Sequence, residues 1–507
     1  MFSQLNCLIK IDILNNLLKL LTTKSINSRY KLVTDSRQVD ESSIFCAYKG
    51  NTTDGRNFIA EAIANHARYI LWESDAIYNN VNPPPPLINQ TTNNHAVPNL
   101  AQYVGLLQSY LYNNPSNKIN VIGITGTNGK TSIAHLIHQS FNLLNSKSAL
   151  IGSNGAGINI EGLQDYKLTT PIAIDTQQLL KQFVKNDVEN IAIEVSSHAL
   201  LQGRVNGINF STAIFTNLTR DHLDYHANMY EYYQAKKQLF FWHGLKNAVI
   251  NLDDNYGLKL FNDLKINNPN LEIITYGLNR GDVRAVDIKS NLIQSTFTLC
   301  YKDMSFKVET NLIGVFNISN LLATIAVLLS YKFQLTDIIN IIKNLKPILG
   351  RMEIIQKINT PAIIVDFAHN PDALQKVLLS AKDMLPDWRS KLYCIFGCGG
   401  SRDQEKRAMM GTIASKYADK VIVTSDNPRF EKPKQIALDI ISKINKNNYK
   451  IILARKEAIA YCLSKAKPKD LVLILGKGHE QVQIIGNQKI LYNDIDTVHK
   501  ILEDLET

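Results

Sequence analysis

The sequence predicts an α/β fold of three domains. At 507 residues the chain has room for roughly three domains of about 150 residues each. A short apolar run at 121–125 leads into a glycine-rich turn and then an amphipathic helical segment. From about residue 347, apolar strands alternate with helical segments. These observations predict a central P-loop ATPase-type, mostly parallel sheet and a C-terminal Rossmann-like, doubly wound domain.

Composition limits the function classes. Hydrophobic residues make up 45% of the chain and charged residues 20%, as in ordinary globular proteins. No apolar run approaches 20 residues and no signal peptide is recognisable, so we expect a cytoplasmic protein without membrane insertion. The net charge is +10, but lysine and arginine are dispersed. We therefore expect no nucleic-acid partner and note that a positive field also suits anionic small molecules.

The six cysteines are scattered, and only Cys394 and Cys398 lie close together in the sequence. No further ligands accompany that pair, so ordinary buried thiols are expected rather than a metal site.

We place the domains at 1–104, 105–346 and 347–507. The first contains a polar stretch at 79–94 with four successive prolines, which predicts a surface loop. In the middle domain, apolar strands are predicted at 191–195, 213–216 and 248–252, and alternation over 284–310 predicts antiparallel strands added at an edge. Strands of the last domain are predicted at the following ranges: 362–367, 392–396, 421–424, 451–453 and 471–475.

The turn after the first strand of the middle domain has the form of a phosphate-binding loop. Gly126 and Gly129 free backbone N–H groups, Lys130 can reach the phosphates, and the Thr131 hydroxyl can bind Mg²⁺. The usual motif has a glycine at position 124, where this chain has isoleucine. The strand, loop and helix together predict a nucleoside triphosphate site.

Polar residues follow the next strands. Glu194 ends an apolar strand and suits Mg²⁺ coordination, although an ordinary salt bridge is the alternative at this point. Two histidines, two aspartates and an arginine then fall within seven residues at 220–226. Such a density at a strand end indicates a site.

The segments 123–132, 194–200, 217–226, 314–320, 350–353 and 366–371 together resemble the Mur ligase family, ATP-dependent enzymes that form amide bonds in peptidoglycan precursors. The motifs at 34–37, 396–402, 426–429 and 476–480 are similar to those of members that add the third peptide residue. The resemblance covers all three domains.

The resemblance implies a set of site residues. Catalytic positions are Lys130, Glu194, His222 and Lys236. ATP-binding positions are Gly126, Thr127, Asn128, Gly129, Lys130, Thr131, Ser132, Asn317, Asn320, Arg351 and Asp366. Positions for the UDP-muramyl-peptide are Ser36, Thr169, Thr170, Ser196, Gln202 and Arg204. Positions for diaminopimelate are Arg402, Asp426, Asn427, Pro428, Arg429, Gly476 and Glu480.

The resemblance further implies that Lys236 reacts with CO₂ to form a carbamate, which joins Thr131, Glu194 and His222 as a metal ligand. A carbamate is an anion and can bind Mg²⁺ where an ammonium group cannot. The alternative is a plain exposed lysine on a helix, and the adjacent Lys237 is a competing candidate.

The implied partners are ATP, UDP-N-acetylmuramoyl-L-Ala-D-Glu and meso-diaminopimelate, and the implied protein is a monomer. ATP would phosphorylate the D-glutamate γ-carboxylate, and the amine would then attack the acyl phosphate. Arg429 suits the distal carboxylate of diaminopimelate and Glu480 its distal ammonium. L-lysine remains an alternative acceptor, in which case Arg429 would cap a turn or form a salt bridge.

Three other functions were weighed. A folylpolyglutamate synthetase-like ligase would lack the 35–37 and 426–429 motifs, and a P-loop motor or GTPase would need a specificity motif that we do not find. A non-enzymatic nucleotide-binding protein would not need Lys130, Glu194 and His222 together.

Overall fold

A computed structural model describes residues 11–23, 30–50, 53–74 and 93–506. The first domain contains three helices and four strands: α1 (Ile11–Thr23), β1 (Lys31–Val33), β2 (Ser43–Ala47), α2 (Ile59–Ala64), β3 (Tyr69–Ser74), β4 (Asn93–Pro98) and α3 (Ala101–Leu111). The strands form a parallel sheet in the order β1-β2-β3-β4.

The surface loop predicted at 79–94 falls mainly outside the described residues. Residues 79–92 of this loop lie outside the described ranges. Cys7 also lies outside them. Asn93 and Asn94 are not in a loop, because they form β4 and pair with Tyr69 and Ile70 of β3. Pairing with a strand more than 20 residues away overrides the local preference of asparagine for turns.

The predicted limit at residue 104 falls within α3. Tyr103, Val104, Leu107 and Leu111 of this helix are buried in the core of the first domain. The core therefore continues to the end of α3, seven residues beyond the predicted limit, because apolar periodicity continues through the helix.

The middle domain begins at β5. Its strands are β5 (Asn120–Thr125), β6 (Ser148–Gly152), β7 (Gly155–Gly157), β8 (Asn190–Glu194), β9 (Thr212–Phe215), β10 (Asn247–Asn251), β11 (Glu272–Gly277), β12 (Val283–Ser290), β13 (Ser295–Tyr301) and β14 (Met304–Thr310). Its helices are α4 (Lys130–Leu143), α5 (Ala173–Lys185), α6 (Ser197–Leu201), α7 (Met229–Lys237), α8 (Asn255–Asn267), α9 (Val315–Ser330) and α10 (Leu335–Ile342).

These strands form one ten-stranded sheet in the order β14-β13-β12-β11-β10-β9-β5-β8-β6-β7. The strands from β12 to β6 pair in parallel, whereas β13, β14 and β7 pair antiparallel at the two edges. The antiparallel insertion predicted over 284–310 is confirmed. Buried apolar clusters cover both faces of the sheet, which explains why its central strands are continuously hydrophobic.

The C-terminal domain has strands β15 (Glu353–Ile355), β16 (Ala362–Asp366), β17 (Leu392–Phe396), β18 (Lys420–Val423), β19 (Tyr449–Ile451), β20 (Leu471–Leu475), β21 (Val482–Ile485) and β22 (Gln488–Leu491). Its helices are α11 (Pro371–Asp383), α12 (Glu405–Tyr417), α13 (Pro433–Ile441), α14 (Arg455–Lys465) and α15 (Asp494–Glu506). Five 3₁₀ helices occupy connections at Ser36–Gln38, Gly55–Phe58, Pro115–Lys118, Ile160–Gly162 and Gln238–Phe241.

The main sheet of this domain has the order β15-β16-β20-β17-β18-β19, with every pair parallel except β15–β16. This confirms a doubly wound arrangement. The strand predicted at 451–453 lies two residues earlier, at β19, and the hairpin of β21 and β22 was not predicted. No helix in the described ranges is long and apolar enough to cross a membrane. Cys394 and Cys398 are free, buried thiols, as expected.

Candidate active site

A cavity with a volume of about 1270 Å³ lies between the middle and C-terminal domains. Its walls include residues that follow β5 and β9 of the middle sheet, and Glu194 at the end of β8. Residues that follow β16, β17, β18 and β20 of the C-terminal sheet form the other wall. The carboxyl ends of the parallel strands of both sheets therefore meet at one site, where α/β folds place their ligands.

The phosphate-binding loop joins β5 to α4. Gly126 and Gly129 have φ values of +147° and +88°, which residues other than glycine rarely adopt. A Cβ atom on Gly126 would lie 1.8 Å from Oγ1 of Thr216, so a larger residue cannot replace it without displacing backbone or side chain. Lys130 Nζ folds back onto the loop and donates to the carbonyl oxygens of Gly126 (3.0 Å) and Thr127 (2.8 Å). Burial lowers the pKa of Lys130.

Glu194, the last residue of β8, is held beside this loop. Its Oε2 accepts a hydrogen bond of 3.1 Å from the Thr131 hydroxyl, and its Oε1 accepts one of 2.8 Å from the backbone N–H of Ser153. It forms no ion pair with any described residue, so the salt-bridge alternative is wrong. Ser153 was missed from the sequence because it follows β6, whose pairing with β8 depends on the tertiary structure.

His222 faces the same cavity and has a φ of +54°. Burial lowers its pKa to about 3, so the imidazole is neutral near pH 7 and can donate a nitrogen lone pair to a metal ion. The preceding Asp221 bridges to the C-terminal domain, with carboxylate oxygens 3.5 Å from His369 Nε2 and from Lys406 Nζ. The sequence indicated the 217–226 cluster as a site but not this bridge.

The two adjacent lysines of α7 have different surroundings. Lys236 is 1% exposed, and its Nζ donates a hydrogen bond of 2.7 Å to the carbonyl oxygen of Gly126. Burial, followed by the charge of Lys130, holds the pKa of Lys236 well below its usual range. Lys237 instead pairs with Asp263 at 2.7 Å. Lys236 is therefore the lysine that contacts the phosphate-binding loop, and it is not an exposed helical residue.

The residues expected to bind adenine, ribose and phosphate are only partly brought together. Arg351 donates a hydrogen bond of 3.2 Å to Thr131 Oγ1, and its guanidinium carbon lies 4.5 Å from the centre of the Phe367 ring. Asn320 lines the cavity, whereas Asn317 lies behind it and accepts a hydrogen bond of 3.2 Å from the Asn320 amide. Asn317 thus orients Asn320 rather than lining the cavity.

Asp366 is buried at the end of β16, close to Arg351. Its carboxylate accepts backbone hydrogen bonds from Met352 (2.9 Å) and Ala368 (2.8 Å). Burial raises the pKa of Asp366, and the charge of Arg351 opposes that shift. Asp366 therefore holds the backbone of Met352, which follows Arg351, and of Ala368, which follows the cavity-lining Phe367.

The C-terminal wall contains most of the residues expected to bind the amino acid. The cavity is lined by Arg402, Asp426, Asn427, Arg429, Gly476 and Glu480, but not by Pro428. Arg429 donates a hydrogen bond of 2.9 Å to the carbonyl oxygen of Gly400. The alternative that Arg429 caps a turn is therefore right in part. Arg429 nevertheless forms no ion pair with a described carboxylate, and burial and the charge of Arg402 lower its pKa. The charges of Asp426 and Glu480 oppose that shift, so the guanidinium charge is offset only in part.

Of the positions expected to contact the muramyl-peptide, only Thr169 lines this cavity. The Thr170 hydroxyl donates a hydrogen bond of 2.7 Å to the carbonyl oxygen of Glu194 and accepts one of 3.1 Å from the backbone N–H of Ser196. Arg204 donates to the carbonyl oxygen of Thr170 at 3.1 Å and to the side chain of Gln202. These residues therefore lie together beside the phosphate loop but outside the main cavity.

Ser36 lies apart from that group, in the first domain. Its hydroxyl donates a hydrogen bond of 2.7 Å to Glu61. The structure does not bring Ser36 into the cavity, and a contact with substrate there stays a prediction.

A metal ion would need ligands beyond the protein's own acidic and histidine side chains. Within the described ranges, no group of three or more histidine, cysteine, aspartate or glutamate residues is arranged to hold a metal. The Thr131 hydroxyl and the Glu194 carboxylate are nevertheless in contact beside the phosphate loop. Oxygen donors in this setting fit Mg²⁺, which usually shares its coordination sphere with substrate phosphates and water.

The fold and the site define an enzyme class in which a phosphate-binding loop of the middle domain faces the strand ends of the C-terminal domain across one cavity. Family models agree: "Mur ligase family, catalytic domain" matches residues 30–110, "Mur ligase middle domain" residues 124–328, and "Mur ligase, glutamate ligase domain" residues 350–478. The chain belongs to the Mur ligase family.

Several relatives of the chain are named UDP-N-acetylmuramoyl-L-alanyl-D-glutamate--2,6-diaminopimelate ligase. The chain is 40% identical to that of Neisseria meningitidis serogroup A over 474 residues, covering 93% of this chain and 94% of the relative. It is also 40% identical to that of Chromobacterium violaceum over 469 residues, covering 92% and 93%. A solved structure of such a ligase is 33% identical, with a TM-score of 0.67 and coverage of 94% and 95%.

Proposed function

We propose that the chain is an ATP-dependent ligase that joins meso-diaminopimelate to the D-glutamate γ-carboxylate of UDP-N-acetylmuramoyl-L-Ala-D-Glu. One observation carries this proposal. A phosphate-binding loop with Lys130 and Glu194 shares one cavity with the oppositely charged side chains Arg429 and Glu480. Relatives that share about 40% of the sequence are named for this reaction.

The first chemical step is activation of a carboxylate, which is a poor acceptor for an amine. The γ-phosphoryl group of ATP is transferred to the D-glutamate γ-carboxylate, giving an acyl phosphate and ADP. Lys130, at the start of α4, offsets the repulsion between the two anions, and the N–H groups of the loop and of the helix N-terminus bind the phosphates. Thr131 and Glu194 would hold Mg²⁺, which supplies further positive charge at the transferring group.

The second step is attack on the acyl carbon by the amine of the incoming amino acid. A tetrahedral intermediate forms and phosphate leaves, so the net products are the amide, ADP and phosphate. Arg429 would bind the distal carboxylate of diaminopimelate bidentately, and Glu480 would bind its distal ammonium. This holds the amino acid by its far end and leaves the near amine free to react.

The surroundings of Lys236 support carbamylation by CO₂. The reaction needs a neutral amine, and burial favours the neutral form of this side chain. The product would carry a carboxylate-like group next to the phosphate loop, where it could join Glu194 and His222 as a magnesium ligand. The N–H that donates to Gly126 would be retained in the carbamate.

Location and assembly are also part of the proposal. ATP and UDP-linked precursors are cytoplasmic metabolites, so we propose a cytoplasmic enzyme. We further propose a monomer, as the family resemblance implies.

The test is ADP release measured with purified protein and Mg²⁺. Release should require both UDP-N-acetylmuramoyl-L-Ala-D-Glu and meso-diaminopimelate, and should stop when Mg²⁺ is chelated. Equal kcat/KM values for L-lysine and diaminopimelate would contradict the assigned amino acid. ADP release in the absence of both substrates would contradict the ligase assignment itself.

A further inference from the structure

Lys477 lies between the two motifs of the amino-acid pocket but does not line the cavity. It follows β20, and its side chain is 0% exposed. Its ammonium donates three hydrogen bonds: to Glu480 Oε2 (2.7 Å), to the carbonyl oxygen of Val482 (2.8 Å) and to Asn427 Oδ1 (3.2 Å). All three N–H donors of the lysine are therefore satisfied by protein atoms.

These bonds fix the Glu480 carboxylate. Its Oε2 accepts from Lys477 and also from the Asn427 amide at 2.9 Å, whereas its Oε1 accepts no bond from a described residue. The Glu480 side chain is 31% exposed and lines the cavity. One oxygen is thus held by the protein, and the other is free for a ligand.

The same lysine also fixes Asn427. The amide oxygen of this residue accepts from Lys477 and from the backbone N–H of Ile484 at 3.0 Å, while its nitrogen donates to Glu480. Both ends of the amide are therefore assigned, and the side chain has one satisfied orientation. Arg429 follows two residues later, so Lys477 connects the segment that carries Arg429 to the segment that carries Glu480.

Electrostatics give Lys477 a second effect. Glu480 and Arg429 interact, since the carboxylate charge raises the pKa of Arg429. A Glu480 side chain released from Lys477 could move toward Arg429 and neutralise the guanidinium expected to bind the distal carboxylate. Because Lys477 is buried and also bonded to Asn427 and Val482, its bond to Glu480 opposes such a movement.

We propose that Lys477 is a positioning residue for amino-acid recognition: it holds the Glu480 carboxylate for the ammonium of the incoming amino acid and away from Arg429. This inference rests on the proposed function and deepens it. Lys477 acts through Glu480 and Asn427 and makes no contact with the substrate itself.

The test uses Lys477→Met, which keeps an unbranched side chain of similar length and removes the positive charge. The KM for diaminopimelate should rise on the order of 10- to 100-fold, as expected for loss of a hydrogen bond to a charged group. The KM values for ATP and for the UDP-linked substrate should change by less than about twofold, because Lys477 bonds only residues of the amino-acid pocket and none of those expected to bind these two substrates. Lys477→Arg should recover part of the loss, since it restores the positive charge.

Two further measurements separate positioning from a general structural role. Positional isotope exchange in ATP that depends on UDP-N-acetylmuramoyl-L-Ala-D-Glu reports acyl-phosphate formation in the absence of the amino acid. Lys477→Met should leave this exchange intact. In a Glu480→Gln background, Lys477→Met should add little further loss, because both changes remove the same interaction. Lys469→Met is the matched control, since Lys469 is exposed just before the same strand. If Lys477→Met does not fold, Lys477→Gln takes its place.

Two results would overturn the inference: an unchanged KM for the amino acid, or a parallel rise in all three KM values accompanied by a lower Tm. Failure of the proposed function is seen separately, in the wild-type protein. If the wild type uses L-lysine instead, the same variants are measured with L-lysine, whose distal ammonium would also need Glu480. If the wild type ligates no amino acid, both proposals are wrong.

Discussion

The ammonium group of Lys236 donates a hydrogen bond of 2.7 Å to the carbonyl oxygen of Gly126 and thereby joins α7 to the phosphate-binding loop. The ring of Tyr232 lies 4.6 Å below the same nitrogen. No described carboxylate pairs with this buried lysine, in contrast to Lys237 and Asp263. A buried, unpaired amine at the phosphate site is costly unless it is neutral or modified.

Lys236→Ala should therefore remove most of the activity, whereas Lys237→Ala should keep it, because only Lys236 is close to the loop. If a carbamate is the active form, removing bicarbonate should lower wild-type activity, and short carboxylates such as formate should restore part of the activity of Lys236→Ala. Steady-state ADP release measures each effect. Wild-type activity in Lys236→Ala would exclude the carbamate.

Lys130→Ala should act mainly on kcat. Its charge is positioned for the transferring phosphoryl group, so we expect kcat to fall on the order of 10²- to 10³-fold, as for loss of a single electrostatic contact in a transition state. The exposed Lys346, on the loop after α10, provides the control variant Lys346→Ala. A change confined to the KM for ATP would show that Lys130 binds the ground state and the transition state equally.

Arg429→Ala should reduce the preference for diaminopimelate over L-lysine. The wild-type preference should be on the order of 10⁴-fold, because L-lysine would leave the half-buried guanidinium without a carboxylate. Arg429→Lys should be intermediate, since an ammonium cannot bind a carboxylate bidentately. The ratio of kcat/KM values for the two amino acids is the measurement, with the exposed Arg389→Ala as control. A ratio unchanged in Arg429→Ala would assign the selectivity to another residue.

Asp221→Asn should weaken the contact between the middle and C-terminal domains. The substitution leaves Lys406 buried without its carboxylate, at a cost of roughly 3 kcal/mol in the free energy of unfolding. Adding Lys406→Met should recover part of that loss, because it removes the unpaired charge. Chemical denaturation measures both variants. The more exposed pair of Asp224 and Arg402 supplies the control, and Asp224→Asn should cost less.

Stability should fall in acid through His135. Burial first, then the charges of His138 and Arg351, lower its pKa to about 3 from an ordinary value of 6.5. Below pH 6.5 the unfolded chain binds a proton that the folded chain does not, so stability is lost as the pH falls from 6.5 toward 3. The loss should reach about 2 kcal/mol near pH 5.

His135→Gln removes that titration, so its free energy of unfolding should depend less on pH between 6.5 and 4 than that of the wild type. His138, whose pKa burial lowers to about 4, should give a smaller effect when replaced in the same way. Urea denaturation at several pH values is the measurement. Equal slopes for wild type and His135→Gln would show that other groups determine the acid sensitivity.

Local patterns along the chain determined the α/β class, the doubly wound last domain, the phosphate-binding loop and the strand-end position of Glu194. Each of these depends on residues close together in sequence: apolar periodicity, two glycines before Lys130, or a polar residue directly after a strand. The tertiary structure decided which of two adjacent lysines is buried at the loop and that α3 belongs to the first core. It also decided that Ser153 holds Glu194.

Long-range contacts explain the difference. Lys477 meets Asn427 across 50 residues and Asp221 meets Lys406 across 185, and neither pairing leaves a periodic or spaced signal in the sequence. A buried charge is acceptable only where a partner is brought to it, and the packing of separate strands and domains determines that partner.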